Sequence, residues 1–191
     1  FMAQTASPTT DTTAWHQLAD EVLNGHTLST EQALGIMRCP DDQLLNLLAA
    51  SYQIRQRYFG NKVQLYFLKN AKSGLCPEDC GYCSQSKVST AEVPKYNILN
   101  REKLLEGAEL ADQQNAGTYC LVISARGPSE RELAAVEAIV PEIKQRHDLR
   151  ICACLGLLDD EQADRLKRAG VDRVNHNLNT SRQFYEQICT T

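Results

Sequence analysis

Long apolar runs are missing from this chain: nothing among its 191 residues approaches the roughly eighteen needed to cross a bilayer. The opening stretch FMAQTASPTTDTTAW has neither a basic segment nor an apolar one, which excludes a secretory signal within it. Its Ser, Thr and Pro content is read as a disordered leader over residues 1–13. Excess positive charge is also absent. Lys and Arg number 20 against 24 Asp and Glu, a formal charge of −4, and no basic block stands out, so a general nucleic-acid binder is excluded. No Ser-His-Asp set, carboxylate pair or phosphate-cradling glycine loop rises above chance. No internal repeat is present beyond the alternation described below.

What is there in quantity is cysteine, eight in all. Disulfide scaffolds are usually small, secreted and short of core. This chain has amphipathic helices and no export signal, so the thiols are read as the reduced set of a cytoplasmic protein. In that setting clustered cysteine means metal or redox chemistry.

The first third reads as helices, placed at residues 14–60. Trp15, Leu18, Val22 and Leu23 share one stripe. Ser29 and Gln32 form a capping-box pattern. Leu44, Leu45, Leu48 and Tyr52 form a second stripe in a helix stopping at Gly60. From residue 61 the rhythm changes. Strands are expected at Val63–Leu68, in TYCLVIS, in RICACLG and in VDRVNHNL. Helices are expected between them: one from Asn100 to Gly117, one capped by Ser129 and Glu132, one opened by Asp159 and stopped by Gly170. A last one begins in SRQFYEQI. Four strand–helix repeats imply parallel β-structure, either an open doubly wound sheet or half of a (β/α)8 barrel. Because such a barrel needs about 250 residues, we read residues 61–191 as the first four βα units of a truncated TIM-type barrel, an α/β fold preceded by the N-terminal helices.

KSGLCPEDCGYCSQS follows the first strand and places Cys76, Cys80 and Cys83 within eight positions. A structural zinc site closes with a fourth local Cys or His, and none is near. A [4Fe–4S] cubane takes one ligand per iron; three thiols leave one iron open, as a reacting ligand requires. Gly74 and Gly81 are expected to let the backbone approach sulfur. The loop's place after the first strand puts it at the barrel face where such enzymes keep their chemistry.

CPEDCGYC resembles the signature of the radical S-adenosylmethionine superfamily, and the fuller SGLCPEDCGYCSQS resembles the biotin synthase family. The resemblance implies a [4Fe–4S] cluster on Cys76, Cys80 and Cys83, with S-adenosylmethionine on the open iron and Tyr82 against its adenine. It implies a second, [2Fe–2S] cluster in the barrel, with Cys120 and Cys152 as two ligands and the remaining Cys and Arg beyond Thr191. The family often has a basic residue where Tyr119 stands, which bears on the electrostatics of that cluster. NHNLNTS resembles a stretch that the family sets against cofactor and substrate. By that match Asn177 contacts substrate and nucleoside, and Asn179, often Asp in the family, contacts the ribose. Strand alternation puts His176 on the opposite face, as a packing residue. Cys154 is left as core or neighbour, and Cys39 and Cys189 as structural.

The reaction so implied is radical insertion of sulfur from the [2Fe–2S] cluster into dethiobiotin. A flavodoxin or ferredoxin would donate electrons, the full-length protein would be a homodimer, and this chain alone would be inactive. Two alternatives stand beside it: another radical enzyme of the same barrel without a second cluster, and a non-enzymatic zinc or redox-sensing module.

Overall fold

The structure, a computed structural model, describes residues 13–191; the leader expected at residues 1–13 lies outside the described residues except for Thr13, which begins a helix. The chain divides into two compact units, one ending at Val63 and the other Gln64–Thr191.

The first unit holds α1 (Thr13–Leu23), α2 (Thr30–Met37) and α3 (Leu44–Phe59), the last preceded by a 3-10 turn at Asp41–Gln43. The Ser29–Gln32 capping box forms at the start of α2, and Gly60 ends α3 at φ 56°, where a side chain would be strained. Gln53 of α3 donates to Asp20 of α1 at 2.6 Å. The Leu44, Leu45, Leu48 and Tyr52 stripe does not form a core: all four are exposed. Small side chains, Ala19 of α1 and Ala50 of α3, are buried instead, so the leucines are left on the outside of the unit.

The second unit alternates strictly: β1 (Tyr66–Lys72), α4 (Arg101–Gln113), β2 (Thr118–Ile123), α5 (Glu130–Arg146), β3 (Arg150–Cys154), α6 (Asp160–Ala169), β4 (Arg173–Val174) and a short α7 (Tyr185–Ile188). The strands form one parallel sheet in the order β1-β2-β3-β4. Sequential order with no reversal is the barrel arrangement; a doubly wound sheet reverses at a switch point. Side chains alternate across the strands. The outward set, including Tyr119, Leu121, Ile151 and Ala153, packs with Leu104, Leu133, Val136, Val140, Ile143 and Leu166 of the helices as the core. The inward set carries the cysteines Cys120, Cys152 and Cys154. A side-chain bond spans the two outermost strands, Arg173 of β4 donating to the Tyr66 hydroxyl of β1 at 2.8 Å.

Several boundaries differ from the sequence reading. β1 starts at Tyr66 rather than Val63 and runs on through Lys69, Asn70 and Lys72, polar residues that an apolar-run criterion stops short of. α4 ends at Gln113, not Gly117, because Asn115 takes a left-handed conformation at φ 55°. Only Arg173–Val174 of VDRVNHNL is strand. Asp159 and Gln162 cap α6, and Gly170 closes it at φ 98°.

Candidate metal and cofactor site

A cavity of about 280 Å³ opens at the C-terminal ends of the strands. Cys76, Cys80, Tyr82 and Cys83 come to it from the loop after β1, and His176, Asn177 and Asn179 from the segment after β4. Residues a hundred positions apart are joined here because every parallel strand ends on the same side of the sheet.

The loop is pinned on three sides. Ser73 and Tyr96 exchange backbone hydrogen bonds of 3.1 and 3.0 Å. Gln85 accepts from the Gly74 amide at 2.6 Å. The chain end supplies the third: Gly81 donates to the Ile188 carbonyl at 2.8 Å, and the Thr190 amide donates to Asp79 Oδ1 at 2.8 Å. These Thr190 bonds, the hydroxyl's foremost, hold the Asp79 carboxyl well below the usual carboxylate range. The amides of both glycines are thus bonded to protein acceptors. Gly74 is needed because it sits at φ 68° with Lys95 and Pro94 where a Cβ would stand.

Tyr82 is the hub of a polar chain. Its hydroxyl receives a bond from Asn177 Nδ2 at 2.6 Å and donates to Asn179 Oδ1 at 2.5 Å. The Asn179 amide closes the loop onto Asn177 Oδ1 at 3.0 Å, and Asn179 Nδ2 reaches the Tyr185 hydroxyl at 3.2 Å and Cys80 Sγ at 4.0 Å. Asn179 has φ 63°, a left-handed conformation that asparagine tolerates better than most residues. Since the strand has ended at Val174, period-two alternation no longer applies. His176 accordingly lines the same cavity as Asn177 rather than packing on an opposite face.

All eight cysteines are free thiols. Burial, with the Cys189 hydrogen bond next, pushes the Cys80 thiol up to about 11; burial also raises Cys76. Among the described residues no three His, Cys, Asp or Glu side chains converge on a single ion. A cubane presents a separate iron to each thiol, so its ligands need not meet at one point. Three unpaired thiols on one pinned loop and one cavity fit it in number and kind.

Deeper on the inner face, Cys120 and Cys152 are register partners on β2 and β3, both buried. Burial first, then the Cys152 hydrogen bond, pushes the Cys120 thiol up to about 12. Leu68 and Arg173 flank them in the same row. Tyr119 points the other way: it is fully buried in the helix layer and donates to the Leu104 carbonyl at 2.9 Å. Tyr119 thus faces away from Cys120, and Arg173 is the basic residue in the row of Cys120 and Cys152. Cys154 takes the place beside Cys152 that strand alternation gives it, and Cys189 gains one that the sequence did not show. Cys154 lines the cavity, one alternation above Cys152, and Cys189 lies 3.5 Å from Cys80, sulfur to sulfur. Cys39 sits in the first unit, its thiol against the Pro40 carbonyl.

Among the described residues no helix is long and apolar enough to cross a membrane.

Residues 72–191 match the family described as the Radical SAM superfamily. The chain is 64% identical over 174 residues to biotin synthase of Rhodopirellula baltica, covering 91% of this chain and 48% of that protein. It is 57% identical over 177 residues to biotin synthase of Geobacillus kaustophilus, with 93% and 53% covered. Biotin synthase of Bacillus subtilis is 54% identical over 177 residues, with 93% and 53% covered. The chain thus spans about half the length of the curated relatives it matches. In fold it resembles methylornithine synthase (TM-score 0.77, 20% identity, 91% of this chain and 51% of the other). It also resembles the FeFe-hydrogenase maturase HydG from Carboxydothermus hydrogenoformans (TM-score 0.71, 19% identity, 93% and 41%). The sequential parallel sheet, the cysteine loop at its C-terminal mouth and the match over residues 72–191 lead to one conclusion: this chain belongs to the radical S-adenosylmethionine superfamily.

Proposed function

We propose that this chain is part of a radical sulfurtransferase of biotin synthesis that inserts sulfur into dethiobiotin, the chain alone being inactive. In this reading Cys76, Cys80 and Cys83 hold a [4Fe–4S] cluster, and Tyr82, Asn177 and Asn179 receive S-adenosylmethionine, Asn177 also meeting the substrate. Cys120 and Cys152 contribute two ligands of a [2Fe–2S] cluster. One observation carries it: the thiol triad and the Tyr82–Asn177–Asn179 chain share one cavity, above an in-register pair of buried thiols.

When bound, the clusters and S-adenosylmethionine supply reductive sulfonium cleavage, a carbon-centred radical and the sulfur atom. The protein's own residues position and shield. The two asparagines offer both donors and acceptors, as a ribose diol or a ureido ring requires. Lys72, at 2.8 Å from Glu132, keeps a cation beside the cavity, and Val122, Ile123 and Leu157 line its wall with apolar surface. Cys120 and Cys152 are buried, where as ligands they would keep water from a cluster whose sulfide is passed to the substrate radical. A flavodoxin- or ferredoxin-type electron donor, a homodimer and a cytoplasmic setting belong to the same reading.

The test is an anaerobic incubation of the iron- and sulfide-reconstituted full-length protein with dithionite, S-adenosylmethionine and perdeuterated dethiobiotin. The expected result, by mass spectrometry, is 5′-deoxyadenosine carrying deuterium. Cleavage without deuterium transfer would favour another radical enzyme of this barrel. Absence of cleavage from a protein that takes up zinc and no iron would favour the zinc module.

A further inference from the structure

Cys189 is not among the residues assigned to either cluster, yet it is 3% exposed and in contact with a member of the triad. Its position is fixed from both sides. The Gly81 amide is bonded to the Ile188 carbonyl, and the Thr190 amide to the Asp79 carboxylate. The neighbours of Cys80 are thus tied to the neighbours of Cys189, and the two thiols are held facing each other. A disulfide S–S bond is about 2.05 Å, so the 3.5 Å contact needs a closure of about 1.5 Å, within reach of side-chain rotation.

We infer that Cys80 and Cys189 form a reversible disulfide when no cluster is bound, by exchange with a low-molecular-weight disulfide such as oxidised glutathione. Cys80 lines the cavity, whereas Cys189 is buried behind it. Its thiolate attacks one glutathione sulfur and the S–S bond breaks. The departing thiolate takes up a proton equivalent to the one Cys80 released. Cys189, lying behind, then gives up its proton and attacks Cys80 Sγ, expelling the second glutathione as a thiol. Two protein thiols lose two electrons, and one oxidised glutathione becomes two reduced ones. Only Cys76 and Cys83 of the triad then remain, too few to hold a cubane. The bond itself does not depend on the proposed function; its effect on cluster assembly rests on that reading of Cys80.

The experiment treats cluster-free protein with excess oxidised glutathione at mildly alkaline pH, alkylates the remaining thiols, and maps cross-linked peptides without reduction. A Cys80–Cys189 link is expected, with Cys76 and Cys83 alkylated. Subsequent iron uptake should be several-fold lower than that of reduced protein and restored by dithiothreitol. Cys189→Ser, which leaves the triad intact, should give no such link and take up iron normally when reduced. A link from Cys80 to Cys76 or Cys83, or a stable Cys80–glutathione adduct beside a free Cys189, overturns the proposal. Should the Cys80–Cys189 link form while iron uptake stays complete, the bond stands and the ligand role of Cys80 fails.

Discussion

Cys120 of β2 and Cys152 of β3 are register partners on the inner face of the sheet, both buried, with Leu68 and Arg173 completing their row. Parallel strands lie about 4.8 Å apart, so two thiols in this arrangement can grip one small cluster without any rearrangement of the backbone.

Substituting either by serine should therefore leave the loop cluster intact. The expected outcome for Cys120→Ser and Cys152→Ser in the full-length protein is loss of the [2Fe–2S] visible band, with retained cleavage of S-adenosylmethionine. Visible spectra and iron per chain check this.

Tyr119, one position before Cys120, belongs to the opposite layer. Tyr119→Phe removes its bond to the Leu104 carbonyl and should cost about 1 kcal/mol of stability, read by urea unfolding, with cluster content unchanged. A change in the cluster spectrum would show that this position acts through the sheet.

How far the sequence could be read is clear from these neighbours. The period-two pattern of TYCLVIS puts Tyr119 on the face opposite Cys120, although the family resemblance ties Tyr119 to the cluster's electrostatics; the capping residues Ser29, Asn100, Ser129 and Asp159 locate their helices. Patterning failed where tertiary contacts decide. β1 continues through Asn70 and Lys72, which line the cavity, and the Asn-rich segment leaves the strand after Val174, so its alternation no longer says which side a residue faces. Cys189 carries no local signal at all. Its proximity to Cys80 arises from a return of the chain across more than a hundred positions.

Glu132 gives a pH dependence. Burial raises its carboxyl, but the bonds from Lys72 and Ser129 outweigh burial, and its folded pKa lies below the ordinary 4.5. A depressed carboxylate contributes stability that is complete above the unfolded value and is lost as pH falls through the folded one. Glu132→Gln keeps the cap geometry, as Gln32 and Gln162 do in α2 and α6, and removes the pair with Lys72. Wild type should exceed it by about 1–2 kcal/mol at neutral pH, with the gap closing below pH 4.5. A gap that stays constant in urea titrations from neutral to pH 3 would contradict this.

Gly74→Ala tests the pinning of the loop. At φ 68°, with Lys95 Cγ 2.7 Å and the Pro94 carbonyl 2.9 Å from the new Cβ, the substitution should cost about 1–3 kcal/mol. It should also reduce iron uptake, because the 94–96 segment must shift away from the loop. Thermal unfolding and iron analysis report on the two effects separately.

The central claim is that three thiols hold an iron–sulfur cube with one iron left for the cofactor, and electron paramagnetic resonance of the anaerobically reconstituted, dithionite-reduced protein addresses it directly. The account expects a [4Fe–4S] signal that changes shape when S-adenosylmethionine is added, and that is lost in Cys76→Ala, Cys80→Ala and Cys83→Ala. A signal indifferent to S-adenosylmethionine, or one that survives removal of any of the three, would contradict it.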